Sequence, residues 1–208
     1  MRRLPIAAHT SQPWRIHEVA PDFEVEDVWV LRTPGGANDF PRLVALFASD
    51  DWPESAPLVV RFLWQARWKL GALFGWDAAG AGVGSRVTPI RDRLPGDLRE
   101  APTGPQYEPF VSVFQLEREW VAELANRTVH CVFHLGWVPD GAGGYRGQMA
   151  GLVKPNGRLG RAYMSAIKPL RYLIVYPVLV RRIEREWMVA AINVDPVASD
   201  AERPAREE

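Results

Sequence analysis

The residues with the most chemical capacity crowd into one short run, Thr128-Val129-His130-Cys131-Val132-Phe133-His134. Two imidazoles four residues apart would share a metal ion on a helix. This run alternates as a strand instead, with Val129, Cys131, Phe133, Leu135 and Trp137 on one face and Thr128, His130 and His134 on the other. Four residues along a strand span about 13 Å, so one ion cannot hold both histidines. The same alternation turns Cys131 away from either imidazole, which leaves it a buried, inert thiol rather than a nucleophile.

Other chemistry would have to rest on single groups. The chain has no G-x-S-x-G elbow, no H-E-x-x-H and no cysteine pair. The run Gly80-Ala81-Gly82-Val83-Gly84-Ser85 resembles a phosphate loop, but it follows a helical pattern instead of a strand and lacks the lysine. Asp92, Asp97, Glu117 and Glu123 have no spacing that pairs two of them across a substrate. What remains is Tyr163, and a set of arginines, Arg86, Arg91 and Arg93, in a long irregular segment between Asp77 and Pro109. A tyrosine acid with an arginine facing an oxyanion leaves no motif, so an enzyme stays open; no catalytic residue, metal ligand or cofactor is assigned.

The elements that would position these groups centre on Tyr145 to Trp187. Tyr145, Gly147, Met149, Gly151 and Val153 form the inward face of a strand. Its two inward glycines fit either close packing or the wall of a cavity. After the break Lys154-Pro155-Asn156-Gly157 comes one long helical pattern, whose Tyr163, Ala166, Ile167, Leu170, Ile174 and Val178 predict a buried face. Pro169 and Pro177 predict a bend in it.

Upstream, Phe23 to Leu31 reads as a strand whose phase slips at Asp27, which a bulge would reconcile. Two helices follow, one near Leu43, Val44 and Phe47 and a longer one from Pro57 carrying Trp64 and Trp68. The Asp77 to Pro109 segment is read as a flap, with Arg86, Arg91 and Arg93 at a pocket entrance, or equally as a plain surface loop. Strands at Phe110–Leu116 and Trp120–Ala125 lead into the histidine strand. A turn is expected at Glu117 to Glu119. The whole is α+β: a curved antiparallel sheet with a long closing helix. Residues 1–13 are expected to be a loose start, 14–187 a single domain and 188–208 a disordered acidic tail.

At 208 residues, 47% hydrophobic, the chain can bury one sizeable core. Lys plus Arg and Asp plus Glu balance at 25 each, so no overall basic field argues for nucleic acid. Locally, Arg158 to Trp187 holds seven basic residues against Glu184 and Glu186. A basic apolar helix is a membrane-surface candidate, ranked below a closing helix with a solvated basic rim. The lone cysteine and the absence of an apolar stretch of signal-peptide or membrane-spanning length point to a cytoplasmic protein.

Arg93-Leu94-Pro95, Asn126-Arg127-Thr128-Val129-His130, Gly160-Arg161-Ala162-Tyr163-Met164 and the run Ile167 to Tyr176 resemble a bacterial family of unknown function of the DUF2867 type, from about Trp14 to Trp187. That resemblance implies the helix-grip fold of START-like (SRPBCC) proteins. It also implies a cavity used in that superfamily for lipids, sterols or polyketides, and at times for cyclase or hydrolase chemistry; the family transfers no catalytic residue. The expected function is binding of a small apolar molecule in a cavity lined by Cys131, Phe133, Met149, Tyr163, Ile167 and Leu170, with the Tyr163 hydroxyl as the polar contact. The alternatives are a small enzyme in the same cavity and peripheral membrane association through the basic helix.

Overall fold

Alternation along the chain becomes, in a computed structural model, a six-stranded antiparallel sheet. The structure describes residues 2–48, 57–58, 61, 65, 69, 71, 82–85, 87–106 and 109–192. The strands are β1 (Arg2–Leu4), β2 (Glu24–Val30), β3 (Val111–Gln115), β4 (Glu119–Ala125), β5 (Val129–Pro139) and β6 (Tyr145–Pro155), in the order β1-β2-β6-β5-β4-β3. Register shifts at Val25/Asp27 and Ser112/Phe114 curve the sheet, the first of them where the apolar phase slips in the sequence.

Each face of the sheet is covered. On one, Trp29, Leu135 and Trp137 pack against α3 (Phe40–Ala48) and against Leu179, Ile183 and Trp187 of the terminal helix. On the other, Val28, Val121, Val132 and Leu152 meet Trp14, Ile16 and Phe23 from the N-terminal segment and Ile90, Leu94 and Leu98. The longer helix expected from Pro57 lies mostly outside the described residues, Trp64 and Trp68 included; Leu58, Arg61, Gln65, Lys69 and Gly71 within it are helical.

The segment 1–13 is not loose. Arg2–Leu4 pairs with β2, and α1 (Ala7–Thr10) buries His9 completely. The anchor is Glu119, which is no turn residue but the buried first residue of β4. Its carboxylate accepts the backbone N–H groups of Arg15 and Ile16, each at 2.9 Å, at the start of α2 (Ile16–Val19). Glu123 does the same for the segment read as a flap, taking the N–H of Ile90 at 3.0 Å where a 3₁₀ turn (Ile90–Arg93) begins; α4 (Gly96–Glu100) follows. Each carboxylate also accepts from a histidine of β5, Glu119 from His134 at 3.3 Å and Glu123 from His130 at 2.7 Å. The two histidines are thus structural partners of two carboxylates. Among the described residues no cluster of three or more metal-ligating side chains forms.

The terminal helix runs as α5 (Gly157–Leu170), a π turn (Arg171–Val175) and α6 (Tyr176–Ile192). It passes the expected end at Trp187, so residues 188–192 are helical and not tail; residues 193–208 lie outside the described residues. Instead of a break at Pro169 or Pro177, the ladder widens between them, the N–H of Tyr176 bonding the carbonyl of Arg171 five residues back. The predicted buried face is corrected too. Ala166 and Leu170 are exposed, Tyr163, Ile167, Ile174 and Val178 are half-buried, and full burial of the helix's apolar side chains begins at Leu179, with Val180, Ile183 and Trp187. The sheet side of the first half is occupied by Lys168, Arg171 and Tyr172 instead, paired with acids of β2.

The second face links stability to pH. With His134 Nε2–H donating to Glu119, its Nδ1 accepts from His9 Nε2 at 3.1 Å, which leaves His9 Nδ1 buried and unpartnered. Burial, reinforced by the neighbouring His134 and His17, pushes His9 down from 6.5 to about 2. The unfolded chain therefore takes up a proton near pH 6.5 that the folded chain refuses. Stability is full above that value and falls below it by up to about 1.4 kcal/mol per pH unit from this group. Glu119 adds loss only lower: burial raises it, but the His134 hydrogen bond and the two backbone donors outweigh this and hold it below the carboxylate range. Urea midpoints of His9→Phe should change less than those of the parent chain between about pH 6.5 and 5. An equal slope in both would remove His9 from the balance.

Candidate functional site

The bulge in β2 sets the site. Val25 faces Leu152 and Asp27 faces Gly151, with Glu26 extra between them. The extra residue lets Glu26 and Asp27, adjacent in sequence, both reach the terminal helix. Opposite them the π turn has a matching effect. Residues five apart diverge by about 140° on an α-helix, whereas the wider turn brings Arg171 and Tyr176 to one side.

Both converge on Asp27, which is fully buried. The Arg171 Nη2 donates to Asp27 Oδ2 at 2.9 Å and also to the Tyr176 hydroxyl. Trp29 Nε1 donates to Asp27 Oδ1 at 3.0 Å, and the Tyr176 hydroxyl lies 3.4 Å from Asp27 Oδ2. At the rim, Lys168 pairs with Glu26 at 2.7 Å, and Tyr172 donates to the same carboxylate at 3.3 Å. Arg3 from β1 stacks 4.8 Å from the centre of the Tyr172 ring.

Burial governs the protonation states. It raises Asp27, against the pull of Arg171 and of the Trp29 N–H. It pushes the Tyr176 phenol well above the ordinary range and Tyr172 up to about 12, so both stay neutral donors. For Arg171 burial acts in the opposite sense, but the Tyr176 hydroxyl that accepts its hydrogen bonds and the Asp27 carboxylate outweigh it and hold the guanidinium charged. The arrangement is a buried ion pair with a protonated phenol locked against it.

Gly151 is the floor. A Cβ there would sit 3.3 Å from both Arg171 Nη2 and Asp27 Oδ1 and 3.6 Å from the Tyr176 hydroxyl. Gly151 and Cys131 belong to the central strands and face the helix, yet both are only half-buried. Gly147, four residues earlier on the same face, differs: a Cβ would meet Leu43 of α3 at 2.7 Å. Of the two readings of the inward glycines, close packing holds at Gly147; Gly151 is half-buried, and its inward side abuts the cluster of Asp27, Arg171 and Tyr176.

The residues expected to line a cavity separate accordingly. Cys131 and Phe133 flank Gly151 on β5, opposite Val153 and Gly151 respectively. Phe133 packs on the rings of Phe47, Phe110 and Trp120, and Met149 is buried in the same layer, so both are mainly core. Tyr163 and Ile167 are half-buried on the first half of the helix. Leu170 points outward, because the sheet side at that level belongs to Arg171.

The flap arginines are a second correction. Arg91 donates to the Val113 carbonyl at 3.0 Å on the edge strand β3, and Arg93 pairs with Asp22 at 2.8 Å and lies over Phe23. Both belong to the layer on the opposite face, since Ile90, Leu94 and Leu98 anchor their segment there. Arg86 lies outside the described residues. Asp27, Arg171 and Tyr176 were not among the expected site residues. Two signals pointed to them: the phase slip at Asp27, and a charged Arg171 inside an apolar run flanked by prolines.

Residues 19–178 match the sequence model of a family described as protein of unknown function (DUF2867). Neither the curated proteins nor the solved structures contain a match.

Removing one partner of the buried pair exposes its value. Asp27→Asn leaves the Arg171 charge largely buried and should cost about 3 kcal/mol. The double variant Asp27→Asn/Arg171→Met should lose clearly less than the sum of the two single losses. Urea unfolding of the four proteins checks this, and additive losses would show that the pair is not coupled.

Proposed function

Since the chain belongs to the DUF2867 family, whose description assigns no activity, we propose a function from the geometry: a helix-grip, START-like domain that binds a small, largely apolar molecule between the first half of its terminal helix and the sheet. The observation that carries this reading is the half-burial of Cys131 and Gly151 at the centre of the sheet, on the face the helix covers. Cys131, Tyr163 and Ile167 supply apolar or aromatic surface beside that floor, at about 25 cal/mol per Å² buried. The polar end of the ligand meets Arg171 and the Tyr176 hydroxyl, a pair of donors suited to a carbonyl or carboxylate oxygen. Tyr163, expected to be the polar contact, is secondary here. The setting is a bacterial cytoplasmic protein that works without a cofactor, in keeping with its lone thiol.

A second reading is favoured by one feature, the phenol of Tyr176 kept protonated by burial and oriented by a guanidinium. Such a pair can stabilise an oxyanion developing on a bound carbonyl, as cyclase or hydrolase chemistry requires. Tyr176, not Tyr163, is then the donor. Turnover lost in Tyr176→Phe with binding retained would separate this reading from simple binding.

Native mass spectrometry of the chain purified from its own host, with an organic extract of the same sample, tests the binding reading. A stoichiometric apolar adduct is expected. Gly151→Leu fills the floor and should abolish the adduct while circular dichroism stays that of the parent, and Tyr176→Phe should weaken binding about tenfold. Normal uptake by a folded Gly151→Leu variant would overturn the proposal.

A further inference from the structure

The face of the terminal helix turned away from the sheet is not a solvated polar surface. Leu159, Ala162, Ala166, Leu170 and Leu173 recur every three or four residues along it, and all are exposed. Leu159 is 52% exposed, Leu170 41% and Leu173 77%. Past the π turn the exposed apolar residues resume at Met188 and Val189. Arginines accompany the stripe: Arg158, Arg161, Arg181 and Arg185 are all exposed. Lys168, Arg171 and Arg182 are neutralised by Glu26, Asp27 and Glu186, whereas among the described residues the four exposed arginines have no ion pair.

We infer that this face docks in the plane of an anionic lipid bilayer, its leucines entering the interface and its arginines meeting lipid phosphates. The charge pattern selects this occupant over a second copy of the chain. A two-fold dimer on the stripe would set arginines against arginines, because the nearby acids are already engaged: Glu186 by Arg182, and Glu184 by the backbone N–H of Arg32 at 3.0 Å. Docking is in-plane, since no helix among the described residues is long and apolar enough to cross a membrane. The ion pairs that turn Lys168 and Arg171 toward the sheet are what leave Leu170 and Leu173 on the outer side.

Flotation of the full chain with phosphatidylcholine vesicles, with and without phosphatidylglycerol, tests this. The expected result is binding only to the anionic vesicles, weakened by added salt. Leu173→Asp, at a position too exposed to disturb the fold, and the pair Arg158→Glu/Arg161→Glu should each reduce partitioning about tenfold or more. Leu173→Phe should preserve it. No binding to anionic vesicles at low salt would overturn the inference, and so would undiminished binding by both variants. A concentration-dependent dimer in sedimentation, lost in Leu173→Asp, would assign the stripe to a second copy and overturn it equally.

Discussion

The ion pair between Arg171 and Asp27 spans the gap between the terminal helix and β2, and the geometry of that half of the molecule follows from it. A carboxylate with no solvent access must keep its partner, since burying the charge alone would cost several kcal/mol. Two local irregularities make the meeting possible. An extra residue in β2 lets Glu26 and Asp27 both reach the helix, and an extra residue in one helical turn aligns Arg171 with Tyr176. The two irregularities serve one contact from opposite sides of the gap.

A second pair of constraints works on the far side of the sheet. Glu119 and Glu123, four residues apart on β4, each hold the start of a short helical turn, Glu119 by two backbone N–H groups and Glu123 by one, and each receive a histidine of β5. Buried carboxylates used in this way act as fasteners for otherwise irregular chain. Both the N-terminal segment and the stretch around Ile90 are thereby ordered despite low intrinsic propensity.

Much of this architecture was legible in the residue pattern. Period-two alternation located β2 to β6 within one or two residues, and the slip at Asp27 disclosed a bulge, because strand parity leaves no other way to reconcile Val25 with Val28. The side of the terminal helix that is buried was not legible. Periodicity identifies an apolar stripe but does not say which neighbour it meets, and here the charged side was drawn inward by partners more than a hundred residues away. The fasteners were hidden for a related reason: a glutamate that accepts backbone N–H groups looks, in sequence, like any surface glutamate. Two of the stretches that carry the family resemblance gain a physical reading. The Asn126 side chain accepts from Thr128 and Val129, and the Thr128 carbonyl would lie 2.1 Å from a Cβ at Gly160, so the corner and the helix start touch through a position only glycine can fill.

The pairing of β2 with β6 has a consequence for how the molecule assembles. β4, β5 and β6 are neighbours in sequence and can zip as a meander, whereas β2 joins through contacts such as Glu24 with Val153, which close most of the chain into a loop. Contacts of that range form late and set the pace of folding. Asp27 comes from the late partner, Gly151 from the early one, and Arg171 from a helix synthesised after both. The buried ion pair therefore needs β2 and the terminal helix in place together, and the floor that Gly151 provides beside it needs β6 as well.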